Sequence, residues 1–392
     1  MTYKYDVCIV GGLGHIGLPL GIVFSSKGLK VCLQDINAES AKIVSSGSLP
    51  FVEYEAEPLL KESLENGNLS ISLDPNVISQ SKNIIIAIGT PVDEYMNSKT
   101  RLFLEFISSL KQHLNPDQLI VIRSSIAPNA CEQIRRTLGE DQDWKLSYCP
   151  ERIVQGYAIK ELKKLPQIVS GFNDDAVNEA SELFQKISSS VIVTSIKEAE
   201  LAKLFANSWR YIQFAIANQF FMICEDQGVD YDNVRHAMVE GYERAAQLPS
   251  AGFAAGPCLL KDTMQISSFY QGGFHLGHSA MMINEGLPNF VVNQMKSKYS
   301  LNDRKVGILG MAFKANVDDI RDSLSFRLSK ILKFSGANVM CSDEFASSSD
   351  FVSKEEIVAN CETVIIAAPH SAYKDIKYPS NVDLIDIWKI TQ

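Results

Sequence analysis

Short apolar runs alternate with longer helical patterns along the first half of the chain. The first run, Tyr5–Val10, precedes a glycine-containing turn, a helical pattern over 16–27 with Gly28 as its stop, and a second run that ends at Asp35. Further runs lie at 83–89, 119–125, 145–150, 166–171 and 189–195. Apolar strands separated by helical segments are typical of a parallel sheet with helices on both faces. The pattern therefore predicts an α/β, doubly wound fold for this half.

The segment 196–228 breaks this alternation, because it contains neither proline nor internal glycine before Gly228. We predict one long helix that is too apolar to face solvent and lies at a domain or subunit interface. Residues 304–345 then repeat the opening design of strand, glycine turn, helix and strand. The chain is thus predicted to form two Rossmann-like doubly wound domains joined by a long central helix and a helical dimerisation region. The predicted domains are 1–195, 196–298 and 299–392.

A glycine-rich turn connects the first predicted strand and helix. Gly12, Gly14 and Gly17 form GxGxxG there, and Asp35 follows about 20 residues later. Glycines at this place let the backbone approach a pyrophosphate, while the acid accepts hydrogen bonds from a ribose. A carboxylate would repel a 2′-phosphate and Ile36-Asn37 offers no arginine, so the pattern predicts NAD rather than NADP. A tight turn without a ligand is the alternative.

Polar residues follow three of the predicted strands, at the sheet edge where ligands of such folds bind. The exits read Gly89-Thr90-Pro91, Ser124-Ser125 and Cys149-Pro150-Glu151. Any one serine or threonine could simply cap the next helix. Three polar exits at one sheet edge favour a lined cleft.

The long helix carries two polar residues one turn apart. Lys203 and Asn207 share a face, so their ammonium and amide groups could together stabilise an oxyanion. With Asn218 they interrupt an otherwise apolar stretch. A lysine that extends its amine to solvent and a hydrogen-bonded core amide are the plainer alternatives.

One cysteine lies at a predicted helix start. Cys258 follows Pro257, which we place in the first helical turn, and Lys261 and Asp262 come three and four residues after the thiol. A helix N-terminus and a nearby cation both lower a thiol pKa, so this setting predicts a nucleophile. A small buried residue at a loop–helix junction is the alternative.

The third segment supplies a weaker nucleotide signal. It has Gly307 and Gly310 after the strand but lacks the complete GxGxxG. Lys314, Arg321 and Asp322 lie in the loop between strand and helix, where they could face a phosphate. An ordinary exposed group of ion pairs is the alternative.

Composition narrows the class of protein. The 392 residues carry a net charge of -9 and a pI near 5.3, which excludes the basic footprint of a nucleic-acid-binding protein. The eight cysteines form no CxxC pair and no zinc-ligand spacing, so we expect reduced thiols in a cytoplasm and no metal. The first residues lack the pattern of a signal peptide, and no apolar stretch reaches the roughly 20 residues of a membrane helix.

Taken in order, these segments resemble the UDP-glucose/GDP-mannose dehydrogenase family, the nucleotide-sugar 6-dehydrogenases. The resemblance spans nearly the whole chain through the motifs GGLGHIGLPL, GTPVDE, SSIAP, CPERIVQG, EAELAKLFANSWR, GPCLLKDT and GMAFKANVDDIRDS. It implies an NAD-binding Rossmann domain, a central dimerisation domain with the catalytic cysteine, and a C-terminal domain that binds the nucleotide sugar. It also implies four-electron oxidation at C6 of a UDP-hexose such as UDP-glucose, by a cytoplasmic homodimer or higher oligomer, for polysaccharide precursor synthesis.

Carried over by position, the resemblance makes Cys258 the nucleophile of a thiohemiacetal and then a thioester. The other implied catalytic residues are Lys203 and Asn207 for the oxyanion, Asp262 to order water and Lys203, Glu151 as the base of hydrolysis, and Ser125, where the family usually has Thr. The implied cofactor contacts are Gly12, Gly14, His15, Ile16, Gly17, Asp35, Gly89, Thr90, Ser125, Lys261 and Arg321. The implied substrate contacts are Glu151, Arg152, Lys203, Asn207, Arg244 of a neighbouring subunit, Phe253, Gly256 and Lys314.

The loop before the thiol departs from the family pattern. The family usually has Gly-Gly and one further residue there, whereas this chain has Ala255-Gly256-Pro257, and Leu260 replaces a common proline. Because this loop surrounds the sugar in the family, the departure bears on the substrate. Lys261 is more similar to glucose- or mannose-type members than to N-acetylhexosamine members.

Two other functions fit part of the pattern. A 3-hydroxyacid dehydrogenase also joins a dinucleotide domain to a helical domain with Lys and Asn one turn apart. It needs no thiol and no second nucleotide-binding half, and it releases one NADH per turnover. A non-catalytic protein that binds NAD or a sugar nucleotide would respond to ligand in a thermal-shift assay without turnover.

Overall fold

The computed structural model describes residues 3–94, 97–139 and 142–391. The chain divides into two compact units, Met1–Phe205 and Ala206–Gln392. The long helix Ile196–Asp226 begins in the first unit and ends in the second. The finer division into three domains at 195/196 and 298/299 stays a prediction.

The first unit is built on a sheet with the strand order β3-β2-β1-β4-β5-β6-β7-β8. Neighbouring strands run parallel except β6 and β7, which are antiparallel. The strands are β1 (Tyr5–Val10), β2 (Val31–Gln34), β3 (Leu69–Ser72), β4 (Ser81–Ile86), β5 (Leu119–Ile122), β6 (Lys145–Tyr148), β7 (Gln167–Gly171) and β8 (Val191–Val193). The predicted doubly wound sheet is confirmed, and β3 is a strand that the apolar pattern missed.

Helices cover both faces of this sheet. They are α1 (Gly17–Ser26), α2 (Ala38–Ser45), α3 (Ala56–Glu65), α4 (Thr100–Leu110), α5 (Ala130–Leu138), α6 (Ala158–Lys164), α7 (Asp174–Gln185) and the start of α8 (Ile196–Asp226). Successive side chains of β1 enter opposite cores: Val7 and Ile9 pack in one, and Cys8 and Val10 in the other. A strand buried on both faces reads as a continuous apolar run, which explains why the sequence revealed it.

The start of α8 is fixed to the first unit by a buried carboxylate. Glu200 is 1% exposed and accepts the N–H groups of Asn129 and Cys131 at 2.8 and 2.9 Å. It therefore caps the N-terminus of α5, where free N–H groups need an acceptor. The helix ends two residues before Gly228, whose φ of 67° stops it, so the predicted long helix is confirmed.

The second unit combines helices with a parallel sheet of order β10-β9-β11-β12. Its remaining helices are α9 (Tyr231–Val239), α10 (Leu259–Phe269), α11 (His275–Lys298), α12 (Leu324–Phe334) and α13 (Lys354–Asn360). Its strands are β9 (Lys305–Leu309), β10 (Asn338–Ser342), β11 (Thr363–Ile366) and β12 (Asp383–Asp386). Helix and sheet residues share one core, in which Phe221 of α8 and Leu287 of α11 join Ile308 of β9. The predicted repeat of the strand, turn, helix and strand design is thus present in the second unit.

Candidate active site

The glycine-rich turn lies between β1 and α1, as predicted. A Cβ at Gly12 would lie 2.7 Å from the Ile9 carbonyl oxygen, and a Cβ at Gly17 would overlap the Gly11 carbonyl oxygen, so the turn can close only with glycine. Gly14 is exposed, and within the described part of the chain a Cβ there would meet only the Gly11 oxygen, at 3.7 Å. The backbone at Gly14 is therefore open to close approach, as a dinucleotide pyrophosphate requires.

We expect Gly14→Val to separate cofactor binding from folding. The variant should keep the wild-type melting temperature but bind NAD about tenfold more weakly or worse, because its side chain would occupy the space of the pyrophosphate. Gly17→Val is the matched control: it should lower the melting temperature, since its Cβ overlaps backbone. Calorimetric titration and thermal denaturation measure the two effects. Wild-type NAD affinity in Gly14→Val would contradict the assignment of this turn.

Asp35 follows β2 and is held against the turn. Its Oδ2 accepts the N–H of Leu13 at 3.0 Å, and its Oδ1 accepts the N–H groups of Ile36 and Asn37 at 2.8 and 3.1 Å. A carboxylate has about four acceptor sites, so one remains for a ribose hydroxyl. Ile36 is 91% exposed and brings no cation to a 2′-phosphate. The geometry fits NAD.

The exits of β4, β5 and β6 lie side by side, because these strands are neighbours in the sheet. The Thr90 hydroxyl donates to the Ser125 carbonyl at 2.5 Å, and the Ser124 hydroxyl donates to the Ile88 carbonyl at 2.8 Å. Among residues 3–94, 97–139 and 142–391, no atom outside its chain neighbours lies within 4 Å of the position that a Cβ of Gly89 would take. The polar sheet edge that the sequence predicts is therefore formed.

Glu151, at the exit of β6, is bound by a buried cation that sequence reasoning missed. Arg123 follows β5 and donates from Nη2 to Oε2 of Glu151 and, at 2.7 Å, to Oε1 of Gln167. The other oxygen of Glu151 accepts the N–H groups of Arg152 and Ile153 at 2.7 and 3.0 Å. The only sequence signal was one charge at the end of an apolar run.

The other predicted contacts of the first unit have local partners. The His15 ring lies 4.0 Å from that of Phe51, and its Nδ1 lies 3.2 Å from Nε2 of Gln155. Ile16 directly precedes α1. Arg152 donates to the Pro166 carbonyl. Burial lowers the pKa of Arg152; the negative charge of Glu151 opposes this shift and the positive charge of Arg123 adds to it.

A buried hydrogen bond joins α8 to α10. Nδ2 of Asn207 donates to Oδ2 of Asp262 at 2.6 Å, and these residues are 9% and 0% exposed. Oδ1 of Asp262 is buried and accepts no hydrogen bond from any described residue, while Nζ of Lys261 lies 4.0 Å away. Lys203 is 8% exposed and lies one turn before Asn207 on α8. A buried carboxylate oxygen of this kind suits a water or an ammonium group.

Cys258 is the one exposed thiol among the eight cysteines, all of which the structure describes. It directly precedes α10, and its carbonyl accepts the N–H of Asp262 at 2.9 Å. The expectation that Pro257 occupies the first helical turn is wrong, because the helix begins at Leu259. The left-handed φ of 105° at Gly256 makes a turn that delays the helix.

Arg321 follows β9 in the second unit and is held by the carboxylate of Asp319. The pKa of Arg321 is raised, first by its hydrogen bonds to Asp319 and then, against burial, by the charges of Asp319, Cys258 and Asp322. Two of the bonds to Asp319 measure 2.6 and 2.9 Å. These hydrogen bonds fix the guanidinium of Arg321 in place.

The loop before Cys258 is held by hydrogen bonds between the Asn218 side chain and the backbone of Gly252. Asn218 of α8, 0% exposed, accepts the Gly252 N–H at 2.8 Å and donates to its carbonyl at 3.0 Å. Nδ2 of Asn218 also donates to Asn284 of α11 at 2.9 Å. A Cβ at Gly252 would overlap the ring of Trp388. Asn218, the polar residue that interrupts the apolar sequence of α8, therefore positions the loop.

Two predicted substrate contacts lie in this loop. Gly256 donates its N–H to the Asp322 carbonyl at 3.3 Å, and a Cβ there would lie 2.5 Å from the Phe313 ring. Phe253 is 3% exposed and packs in the core of the second unit. The backbone path at 252–256 thus depends on two aromatic rings, Phe313 and Trp388.

Lys314 is partly buried in the loop between β9 and α12. Asp343, after β10, anchors the start of this loop, since its Oδ2 accepts the N–H groups of Met311 and Ala312 at 2.6 and 2.8 Å. His370 contacts the same oxygen through Nε2 at 3.1 Å. Burial raises the pKa of Asp343, but the bonds from His370 and from backbone N–H groups outweigh it and hold the pKa at about 2.

The remaining predicted residue, Arg244, is exposed in the short helical turn Glu243–Ala245. Among the described residues, no group of three or more His, Cys, Asp and Glu side chains could hold a metal ion. Within the same described part, none of the helices is long and apolar enough to cross a membrane.

The dinucleotide turn, the exposed thiol and the second nucleotide-binding half define an oxidoreductase that uses NAD. Models of one family match the chain in three consecutive parts: its NAD binding domain at 5–188, its central domain at 197–285 and its UDP binding domain at 307–391. The chain belongs to the UDP-glucose/GDP-mannose dehydrogenase family. The predictions of family, fold class, enzymatic class and NAD cofactor are confirmed.

Individual relatives agree with this assignment. The chain is 29% identical over 379 residues to the UDP-N-acetyl-D-mannosamine dehydrogenase of Methanocaldococcus jannaschii, covering 94% of this chain and 86% of that one. The structure of the UDP-D-ManNAc dehydrogenase from Pyrococcus horikoshii has a TM-score of 0.90 at 26% identity, covering 98% and 96%. A UDP-glucose dehydrogenase from Pyrobaculum islandicum shares the fold, with a TM-score of 0.90 at 23% identity and coverage of 98% and 94%. A 3-hydroxyacid dehydrogenase would need no UDP binding domain.

Proposed function

We propose that the protein oxidises the C6 hydroxymethyl group of a UDP-hexose to a carboxylate, with two NAD in sequence and a covalent bond to Cys258. One observation carries the proposal. The single exposed thiol stands at the start of α10, four residues before the buried Asp262 that Asn207 binds. A dehydrogenase that stops at a ketone or an aldehyde has no use for such a thiol.

The chemistry explains the need for sulfur. Each NAD, when bound, accepts one hydride, so four electrons require two NAD. Loss of the first hydride and a proton gives an aldehyde. The Cys258 thiolate adds to it, and the thiohemiacetal is again an alcohol that can lose a hydride. Water then cleaves the resulting thioester, which returns the thiol and releases the acid.

The proposed roles follow from charge and burial. Lys203 and Asn207 stabilise the oxygen that becomes anionic at each stage, because donors in a dry site cost little reorganisation. Asp262 fixes the amide of Asn207 and keeps Oδ1 for water or the Lys203 ammonium. Glu151 takes the proton of the attacking water in the hydrolytic step. Ser125 holds a water near the nicotinamide.

The remaining contacts are proposed from the family pattern. Gly14, Asp35, Gly89 and Thr90 hold the cofactor. The open backbone at Gly14 and Gly89 and the remaining acceptor site of Asp35 support this. His15, Ile16, Lys261 and Arg321 are further proposed contacts to the cofactor. Arg152, Phe253, Gly256, Lys314 and a partner's Arg244 are proposed contacts to the sugar nucleotide.

Which hexose is oxidised is tested with a substrate panel. The relatives' names put UDP-N-acetyl-D-mannosamine beside UDP-glucose as the first candidates. Purified protein and NAD are incubated with UDP- and GDP-hexoses, and NADH and acid are counted. We expect two NADH per acid with one UDP-hexose. One NADH per sugar, or no turnover with any nucleotide sugar, would contradict the proposal.

We also propose that a second copy of this chain covers an apolar stripe on α8. Its exposed members are Phe205, Trp209, Ile216, Phe220 and Ile223, at 52%, 55%, 40%, 37% and 52%. They lie within about 60° of one another around the helix, on the side opposite Lys203 and Asn207. A dimer over this stripe therefore leaves the catalytic face of the helix free. We further propose a reducing cytoplasm as the location, because none of the eight cysteines, all of them described, forms a disulfide.

Trp209→Glu tests the dimer. It should turn a dimer into a monomer in light scattering at micromolar concentration, because two carboxylates would be buried in a two-fold interface. Phe334→Glu is the control, since Phe334 on α12 is 93% exposed and outside the stripe. A wild-type monomer, or a dimer that survives Trp209→Glu, would rule out this interface.

A further inference from the structure

We propose that Arg123 is a positioning residue that fixes the direction of Glu151 and thereby serves thioester hydrolysis alone. The proposal deepens the function proposed above and rests on it, because it takes Glu151 as the base. The juxtaposition that carries it is a fully buried guanidinium bonded to one oxygen of the base and to two fixed acceptors.

The guanidinium is held from several sides. Its Nη1 donates to the Cys149 carbonyl at 2.8 Å, and its Nη2 donates to Gln167 at 2.7 Å and to Glu151. Its carbon atom lies 4.8 Å from the centre of the Phe184 ring. The side chain of Arg123 is 0% exposed. These contacts come from the segment after β6, from β7 and from α7. The guanidinium therefore stays in place even if the carboxylate moves.

The hydrogen bonds leave Glu151 one free direction. A carboxylate has about four acceptor sites. Backbone N–H groups of Arg152 and Ile153 fill both sites of Oε1, and Arg123 fills one site of Oε2. Among the described residues nothing fills the other site of Oε2. The water that attacks the thioester must therefore give its proton to Oε2, the oxygen that Arg123 holds.

This geometry makes a selective prediction about the reaction. Hydride loss from the alcohol and from the thiohemiacetal does not use Glu151 in the proposed scheme, whereas hydrolysis does. Loss of Arg123 leaves a buried carboxylate without its counter-charge and removes the hydrogen bond that fixes Oε2. Hydrolysis should slow while NADH formation persists, so the thioester on Cys258 should accumulate.

Single-turnover measurements test this with enzyme in excess over the UDP-hexose that turns over fastest in the panel. In Arg123→Met, we expect both NADH to form within about threefold of the wild-type rate and acid release to slow about a hundredfold, a typical contribution of general base catalysis. The rate of acid release in Arg123→Lys should lie between the rates of the wild type and of Arg123→Met, because lysine keeps the charge but cannot reach all three acceptors. Ser147→Ala is the structural control, since Ser147 is buried in β6 and donates to the Ser170 carbonyl.

The outcomes distinguish the positioning role of Arg123 from the role of Glu151 as the base. Equal slowing of NADH and acid in the Arg123 variants, or normal acid release from them, overturns the role of Arg123. If Arg123→Met does not fold, Arg123→Lys alone decides in the same way. Glu151→Gln is measured in parallel: normal acid release from it overturns the proposed base. Thioester accumulation in Glu151→Gln without accumulation in the Arg123 variants overturns only the positioning role.

Discussion

Cys258→Ser should bind NAD and the UDP-hexose as the wild type does but make acid at least about a thousandfold more slowly, because the nucleophile of a covalent mechanism is lost. The substitution is nearly isosteric and lies at an exposed helix start, so the fold should persist. A hydroxyl is a far weaker nucleophile than a thiolate near neutral pH. The readouts are steady-state NADH formation, acid release and calorimetric binding.

Another cysteine supplies the control. Cys341→Ser, in β10, changes a partly buried thiol outside the proposed site, and burial raises the pKa of that thiol. It should keep wild-type turnover. Two NADH per sugar at near-wild-type rate in Cys258→Ser would remove the covalent step from the account.

Asp262→Asn should lower kcat about a hundredfold, close to the effect of removing one oxyanion donor. The amide oxygen can still accept the hydrogen bond from Asn207, so the fold should survive. The negative charge to which the proposed mechanism gives the ordering of water and the Lys203 ammonium would be gone. Thermal denaturation and initial rates of NADH formation separate these two effects.

Asp262→Leu gives a contrasting result. It should cost about 1–3 kcal/mol of unfolding free energy as well as activity, because Nδ2 of Asn207 would be buried without an acceptor. Asp303→Asn is a matched control on the exposed surface of the second unit and should leave both quantities unchanged. Wild-type kcat in Asp262→Asn would contradict its proposed role.

The fold was readable because its strands are buried on both faces. Continuous apolar runs revealed β1, β4 and β5, whereas β3, with serine at alternate positions (LSIS), gave no such run. Gly28 and Gly228 marked helix ends correctly because their positive φ angles, 83° and 67°, are local properties. The prediction that Pro257 lies in the first helical turn was wrong, because the start of α10 depends on the left-handed turn at Gly256.

The candidate site could be predicted from the sequence where its proposed residues lie close together in the chain. The glycine turn with Asp35 is a contiguous signal of this kind. The contacts that support the site could not be predicted, because they join positions far apart in the chain. The separations are 28 residues for Arg123 with Glu151, 34 for Asn218 with Gly252, and 27 for Asp343 with His370. A single charge or amide in an apolar run shows that a polar partner exists but does not identify it.

The central claim is a covalent bond between the substrate and Cys258 on the way to the acid. Wild-type enzyme turning over its UDP-hexose with NAD is quenched in acid within the first turnover, and its intact mass and peptide map are measured. The account predicts an adduct on the peptide with Cys258 whose added mass is that of the sugar nucleotide less four hydrogens. Unmodified Cys258 throughout a reaction that yields two NADH per sugar would contradict it.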